Sequence, residues 1–229
     1  GFNRVNWRLN YPSKRGERFQ SSTRRGFNRG GGIMVTPGTY SVTLEKRING
    51  MHTTLQGPVN FEVVPLFEGA LPRKSNQVIN DFREAVIAFQ QDLTSTNISL
   101  SKSLKTTNAM LRALNKASRP TKELFKKLND TRITLLNIDK ELHGNSIKDE
   151  IGERSNPTAS DGGSLGWTAF GNTYGPTDEH MRLLNRVKSQ LKKVKKQLYP
   201  IVNSTLPILR NELIKTGAPW IEGQGLIKD

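Results

Sequence analysis

Apolar residues recur at helical spacing between Asn76 and Leu114: Ile79, Phe82, Val86, Phe89, Leu93, then Leu100, Leu104, Met110 or Leu111, and Leu114. Steps of three and four keep such side chains on one face of a helix. No Pro or Gly interrupts the stretch. Propensity alone does not hold a helix of this length, so its stripe is expected to bury against partner helices. Ser75 stands where an N-cap belongs. Ser118-Arg119-Pro120 should end the helix near Ala117. Thr96, Asn97, Ser103 and Thr107 lie at or beside seam positions, which predicts a looser second half under cover of a later loop.

Two further stripes match it. Pro120-Thr121 opens a second helix with Leu124, Phe125, Leu128, Leu135 and Leu142 on its face, and Gly144 is a natural residue beyond its end. The short break predicts an antiparallel helical hairpin. Pro176-Thr177-Asp178-Glu179 opens a third helix, with two carboxylates at the positive end of its dipole. Its stripe is His180, Leu184, Val187, Leu191, Val194, Leu198, Val202, Leu206, Leu209 and Leu213. Pro200 and Pro207 should kink or interrupt it, and Gly217-Ala218-Pro219 should end it.

Before residue 66 the period changes to two. Val5, Trp7 and Leu9 alternate in a first expected strand, and Tyr40, Val42 and Leu44 in a second. Asn49-Gly50 is a strong hairpin signal, because both positions tolerate positive φ. A return strand runs through Met51 to Leu55, continues at Phe61 and Val63, and closes at Pro65. The expected fold class is α+β. A small antiparallel β-sandwich covers 1–65 and a linker covers 66–75. A three-helix antiparallel bundle of long helices covers 76–217, with a long aperiodic loop at 145–176. Residues 218–229 form a tail.

Composition adds a charge. The chain has 229 residues with Lys+Arg 35 against Asp+Glu 20, a formal charge of +15, and only 34% hydrophobic residues. Such a field attracts a polyanion, an anionic membrane surface or an acidic protein without choosing among them. Arg24 and Arg25 lie in a basic, glycine-containing loop at 12–33, and Lys192, Lys193, Lys195 and Lys196 crowd the third helix. These are the candidate anion-facing residues. No nucleic-acid motif accompanies them, and aromatics do not interleave with them as stacking platforms would. Cysteine is absent, which excludes disulfides, thiolate metal sites and thiol nucleophiles. No stretch reaches the roughly 18 apolar residues of a membrane span. The start at Gly1, with no Met and no signal peptide, is expected to mark the interior of a longer protein.

Catalytic patterns are weak. His52, His143 and His180 are scattered and offer no zinc set. Gly30-Gly31-Gly32 precedes a strand, whereas a phosphate cradle needs a helix there. Asp161-Gly162-Gly163 lacks the alternating acids of a calcium loop. Glu150, Glu153 and Asp161 show no sign of a facing pair, and no Gly-x-Ser-x-Gly elbow is present. No catalytic residue, cofactor, metal or small-molecule substrate is expected. The segment from Leu165 to Gly175 sets Trp167, Phe170 and Tyr174 among glycines. It reads either as a partner platform or as a lid packed over the bundle end.

Several segments carry a resemblance: 1–9 (Gly-Phe-Asn-Arg-Val-Asn-Trp-Arg-Leu), 37–44 (Pro-Gly-Thr-Tyr-Ser-Val-Thr-Leu), Asn49-Gly50, and 60–63 (Asn-Phe-Glu-Val). With Leu206-Pro207-Ile208-Leu209 and Gly217-Ala218-Pro219-Trp220, the chain resembles the C-terminal region of bacterial sortilin-like or BNR-repeat β-propeller "glycosyl hydrolase" proteins. There an immunoglobulin-like β-domain and a helical segment follow the propeller. The resemblance implies an exported protein, periplasmic, outer-membrane-associated or extracellular. Within it this chain would be a non-catalytic scaffold and protein-interaction module whose partners include the rest of its own longer chain. It would alternatively be an accessory to a hydrolase whose active site lies in the propeller. Pro65-Leu66-Phe67-Glu68 departs from the Asp-Pro-Arg usual after the Phe-Glu-Val strand, and no catalytic residue carries over.

Overall fold

The computed structural model describes residues 2–14, 16, 31–67, 69, 71–153 and 156–225. The chain is mixed α+β, with two antiparallel two-stranded sheets followed by helices. Strands β1 (Asn10–Pro12) and β2 (Gly31–Met34) pair, as do β3 (Gly38–Ile48) and β4 (Met51–Val63). Helices α1 (Asn76–Leu114) and α2 (Lys122–His143) follow, then α3 (Ser146–Glu150), a 3-10 helix (Ala159–Ser164) and α4 (Leu165–Gly171). Helix α5 (Asp178–Pro200) passes through a wide π-turn (Ile201–Thr205) into α6 (Leu206–Lys215).

The chain divides into two compact units. One comprises Gly1–Ile87 and Gly166–Thr177, the other Ala88–Leu165 and Asp178–Asp229. The division falls inside α1 rather than in the 66–75 linker: the first turns of α1 are hydrogen-bonded to Pro37, to Met34 of β2 and to Ala169, and Arg73 and Lys74 just before it to Thr173 and Tyr174.

In the second unit the buried positions follow a stricter rule than the apolar residues suggested. From Phe89 onward the buried seam of α1 runs Leu93, Thr96, Leu100, Ser103, Thr107, Met110 and Leu114, with Ala113 buried beside its end. The steps alternate four and three, a mean of 3.5. On α2 the buried set is Leu124, Leu128, Thr131, Leu135, Ile138 and Leu142, and on α5 Leu184, Val187, Leu191, Val194 and Leu198. Both repeat that alternation, which keeps a seam facing its neighbours over many turns.

Two expectations need correction here. Leu104 is half-buried, and Ser103 takes the seam position. Phe125 is 49% exposed, because the alternation passes from Leu124 to Leu128 and leaves it outside. The polar seam residues satisfy themselves. Thr96 Oγ1 donates to Asp92 O at 2.7 Å, Ser103 Oγ to Ser99 O at 2.8 Å, Thr107 Oγ1 to Ser103 O at 2.8 Å and Thr131 Oγ1 to Lys127 O at 2.8 Å. A hydroxyl bonded to the carbonyl one turn back is buried without an orphan donor.

The prolines act as expected, through a widened turn. The buried series runs Leu198, Ile201, Leu206, Leu209, Leu213. One step of five sits at the π-turn, which takes up an extra residue and returns the seam to register for α6. There Leu209 and Leu213 join Met110, Ala113, Leu114, Leu124, Leu128 and Ile221 in one core.

The expected long loop at 145–176 contains α3, the 3-10 helix and α4. These helices are too short to show a period, and each of the last two is anchored by few buried residues: Ala159 and Gly162 in the 3-10 helix, Leu165 and Ala169 in α4. Thr158 N donates to Asp161 Oδ2 at 2.9 Å and holds the start of the 3-10 helix. A side chain at Gly162 would collide with Phe89 and Val187, so glycine here permits close packing rather than flexibility.

In the first unit, residues 2–8 form no strand, contrary to the alternation of Val5, Trp7 and Leu9. Leu9 adopts φ 57°, which breaks extended geometry. The hairpin turn has Asn49 at φ 49° and Gly50 at φ 84°, as its sequence predicts.

Replacing Leu135, fully buried on α2, by Ala should cost about 2–5 kcal/mol. Phe125→Ala, an apolar loss of larger size at an exposed position, should cost less than about 1 kcal/mol. Urea unfolding followed by circular dichroism measures both, and equal losses would contradict the seam assignment.

Candidate docking surface

The β3–β4 hairpin is a long ribbon with two unlike faces. Tyr40 pairs with Phe61, Val42 with Val59, Leu44 with Gln56, Lys46 with Thr53 and Ile48 with Met51. Alternation puts these pairs on one face. Ser41 with Asn60, Glu45 with Thr54 and Arg47 with His52 occupy the other, where His52 Nδ1 lies 3.1 Å from Glu45 Oε2. One face is polar throughout. The other carries Lys46 as its sole charged residue and is otherwise largely apolar.

Among the described residues, only the root of the apolar face is covered. The Trp7 ring centroid lies 5.6 Å from that of Tyr40 and 5.8 Å from that of Phe61, edge-on to Phe61. Trp7 Nε1 donates to Asn10 O at 2.9 Å, which fixes the indole. Beyond this cluster Val42, Leu44, Ile48, Met51, Leu55 and Val59 are all exposed, Met51 at 74%. Between residues 2 and 87 the buried apolar side chains are Val35, Ile79, Phe82 and Val86 alone among those described. Among the described residues this unit therefore leaves most of its large apolar residues in water, while the second unit buries the larger part of its own and leaves others, such as Phe125, Ile133 and Ile208, exposed.

Strand β2, which leads into the ribbon, is tied to α1 by an arginine. Arg83 is 5% exposed. Its Nη1 donates to Met34 O at 2.9 Å and its Nε to Ala169 O at 3.1 Å. One guanidinium thus joins β2, α1 and α4. Burial holds its pKa below the ordinary arginine value, and the positive charge of Arg73 adds to this. Tyr11 Oη stands 3.5 Å from Tyr40 Oη, and that hydrogen bond, followed by burial, raises the Tyr11 pKa. Tyr40 Oη donates to Thr36 O at 2.7 Å and Asn76 Nδ2 to Pro37 O at 2.8 Å, so the turn before β3 is held at both sides.

The same anchoring places the aromatic segment. Arg73 Nε donates to Thr173 O at 3.0 Å and Lys74 N to Tyr174 O at 2.8 Å. Trp167 projects from α4 at 86% exposure, and Phe170 one turn on is 36% exposed. Tyr174 is half-buried, and its ring lies so close to Gly69 that a side chain there would meet it at 2.6 Å. The three do not form one platform: Trp167 and Phe170 face solvent, and Tyr174 packs.

Lys192, Lys193, Lys195 and Lys196 lie on the solvent side of α5 in the second unit. Lys195 Nζ is committed to Asp92 Oδ2 at 2.8 Å, as is nearby Arg186 to Asp161 Oδ2 at 3.6 Å. Arg24 and Arg25 lie outside the described residues. His143 Nδ1 and Nε2 meet Asp139 Oδ1 at 2.9 Å and Asn97 Oδ1 at 2.8 Å, linking α2 to α1. Among the described residues no group of three or more His, Cys, Asp or Glu side chains could hold a metal, and no helix is long and apolar enough to cross a membrane.

Sequence reading missed Arg83 and the uncovered ribbon face. Arg83 stands four residues after Ile79 and beside Phe82, so a charge on the seam was the available signal. Comparison with protein-family models, curated proteins and solved structures returns no match.

Arg83→Met should strip two carbonyls of their charged donor and weaken this junction by about 1.5–3 kcal/mol. Chymotryptic cleavage after Trp167 and Phe170 should then accelerate at least fivefold (about 1 kcal/mol of local opening), with helix content unchanged. Arg83→Lys should lie between the two. An unchanged cleavage rate in Arg83→Met would refute the anchoring role.

Proposed function

We propose that the chain is a non-catalytic scaffold and protein-docking module of a larger exported protein of the sortilin-like, BNR-repeat propeller kind. In this reading the ribbon is one layer of an incomplete immunoglobulin-like sandwich. The second unit is a three-helix antiparallel bundle that serves as a rigid mount. The carrying observation is the apolar face of β3–β4, where Val42, Leu44, Ile48, Met51, Leu55 and Val59 stand exposed beside a fully polar opposite face. A two-stranded ribbon is marginal by itself, and three or more strands or a packed cover give it stability. Contiguous exposed apolar surface of this kind marks an interaction site. The segments at 1–9, 37–44 and 60–63 supply the family part of the reading, and the rest of the longer chain is the first partner expected.

Met51 makes the test direct. Its thioether is 74% exposed and should oxidise rapidly under hydroxyl-radical footprinting of this chain. In the native longer protein it should oxidise at least tenfold more slowly (about 1.4 kcal/mol of protection). Equal rates would contradict docking through this face.

A further inference from the structure

Among the described residues, the main chain of β3 is paired with β4 on one side and with nothing on the other. Its span from Thr39 to Ile48 contains neither Pro nor Gly. The outer edge of β4 differs. Pro58 has no N–H to offer, and the register shifts twice, between Val42 and Leu44 and between Leu44 and Glu45, leaving extra residues in β4. Proline and bulges are the usual means of blunting a sheet edge. The ribbon therefore has one blunted edge and one regular, open edge.

We propose that the outer edge of β3 accepts an extended segment of another protein chain, which adds a third strand. The proposal rests on the docking reading above and adds a second contact to it: the rest of the longer chain covers the apolar face, and the segment of another protein takes the open edge. The outward-facing main-chain N–H and C=O groups of alternate residues between Thr39 and Ile48, those not bonded to β4, provide the affinity, as in other strand additions. Side chains set the register. Beside Val42, Leu44 and Ile48 the incoming strand needs apolar residues at alternate positions, so that the apolar face widens from two strands to three. Beside Lys46 it needs a carboxylate, since Lys46 is the charge on that face. The formal charge of +15 favours an acidic segment and opposes a second copy of this chain.

The probe is a synthetic ten-residue peptide alternating Val with Thr, with one Glu in place of a central Val. Its binding to the whole chain is followed by fluorescence anisotropy at 0.15 M salt. Binding in the range of about 10–100 μM is expected. N-methylation of alternate peptide amides on the edge facing β3, which removes donors and leaves charge and side chains intact, should weaken binding at least tenfold. Lys46→Glu should weaken the Glu peptide and strengthen a peptide with Lys at that place. Equal affinity of the methylated and parent peptides would overturn the proposal, as would no binding at 1 mM peptide. A chain that sediments as a dimer and binds peptide only as it dissociates would overturn it in favour of self-association. If the peptide fails while Met51 is protected in the longer protein, strand addition falls and docking stands. If Met51 is unprotected, the docking reading itself falls.

Discussion

The alternation of three and four residues between buried positions on α1 is the constraint from which the remaining structure follows. It begins at Ile79 and continues through Phe82, Val86 and Phe89 to Leu114 without a lapse. A single side-chain stripe thus enters both compact units. Every element with the same alternation has a place beside it in the second unit, and the π-turn between α5 and α6 exists where one extra residue would otherwise break that register. Even its polar members conform, because Thr96, Ser103 and Thr107 return their hydroxyl hydrogens to carbonyls of their own helix.

The two units spend their apolar residues differently. The second closes a core around Met110, Leu114, Leu128 and Leu213. The first has few buried apolar residues and depends on directed polar contacts: Arg83 to two carbonyls, Asn76 to Pro37, Arg73 and Lys74 to the 173–174 backbone. Hydrogen bonds fix geometry, while net stability comes mainly from burial. A unit rich in the former and poor in the latter is well positioned and incompletely stabilised. That combination suits a surface held ready for a partner, and it is the physical basis for reading this chain as a docking module.

Much of this was legible in residue order. The caps at Ser75 and Thr121 work through Val78 N and Leu124 N as their spacing implied, Gly144 follows α2 with φ 95°, and Asn49-Gly50 turns the hairpin. The errors have physical causes. Hydroxyl residues look wrong on a seam until their bonds to the preceding turn are seen, so residue order favours Leu104 over its neighbour Ser103, leaves Thr131 out and puts Phe125 inside. Helices of five to seven residues cannot display a period, so 145–176 read as loop. Arg83 was invisible as a junction because its acceptors, Met34 and Ala169, are remote in sequence. The candidate surface was half legible: Tyr40, Val42 and Leu44 announced an apolar face, but residue order does not say whether a face is covered.

One unit closes a core of its own, and the other leaves the apolar face of its ribbon exposed. Native-state amide hydrogen exchange on the monomeric chain tests this difference most directly. The account predicts slow exchange for buried-seam amides of α2 and α5, approaching the global unfolding limit, and exchange at least a hundredfold faster across β3 and β4 (about 2.7 kcal/mol less protection). Equal protection of the ribbon and the helices in a verified monomer would contradict it.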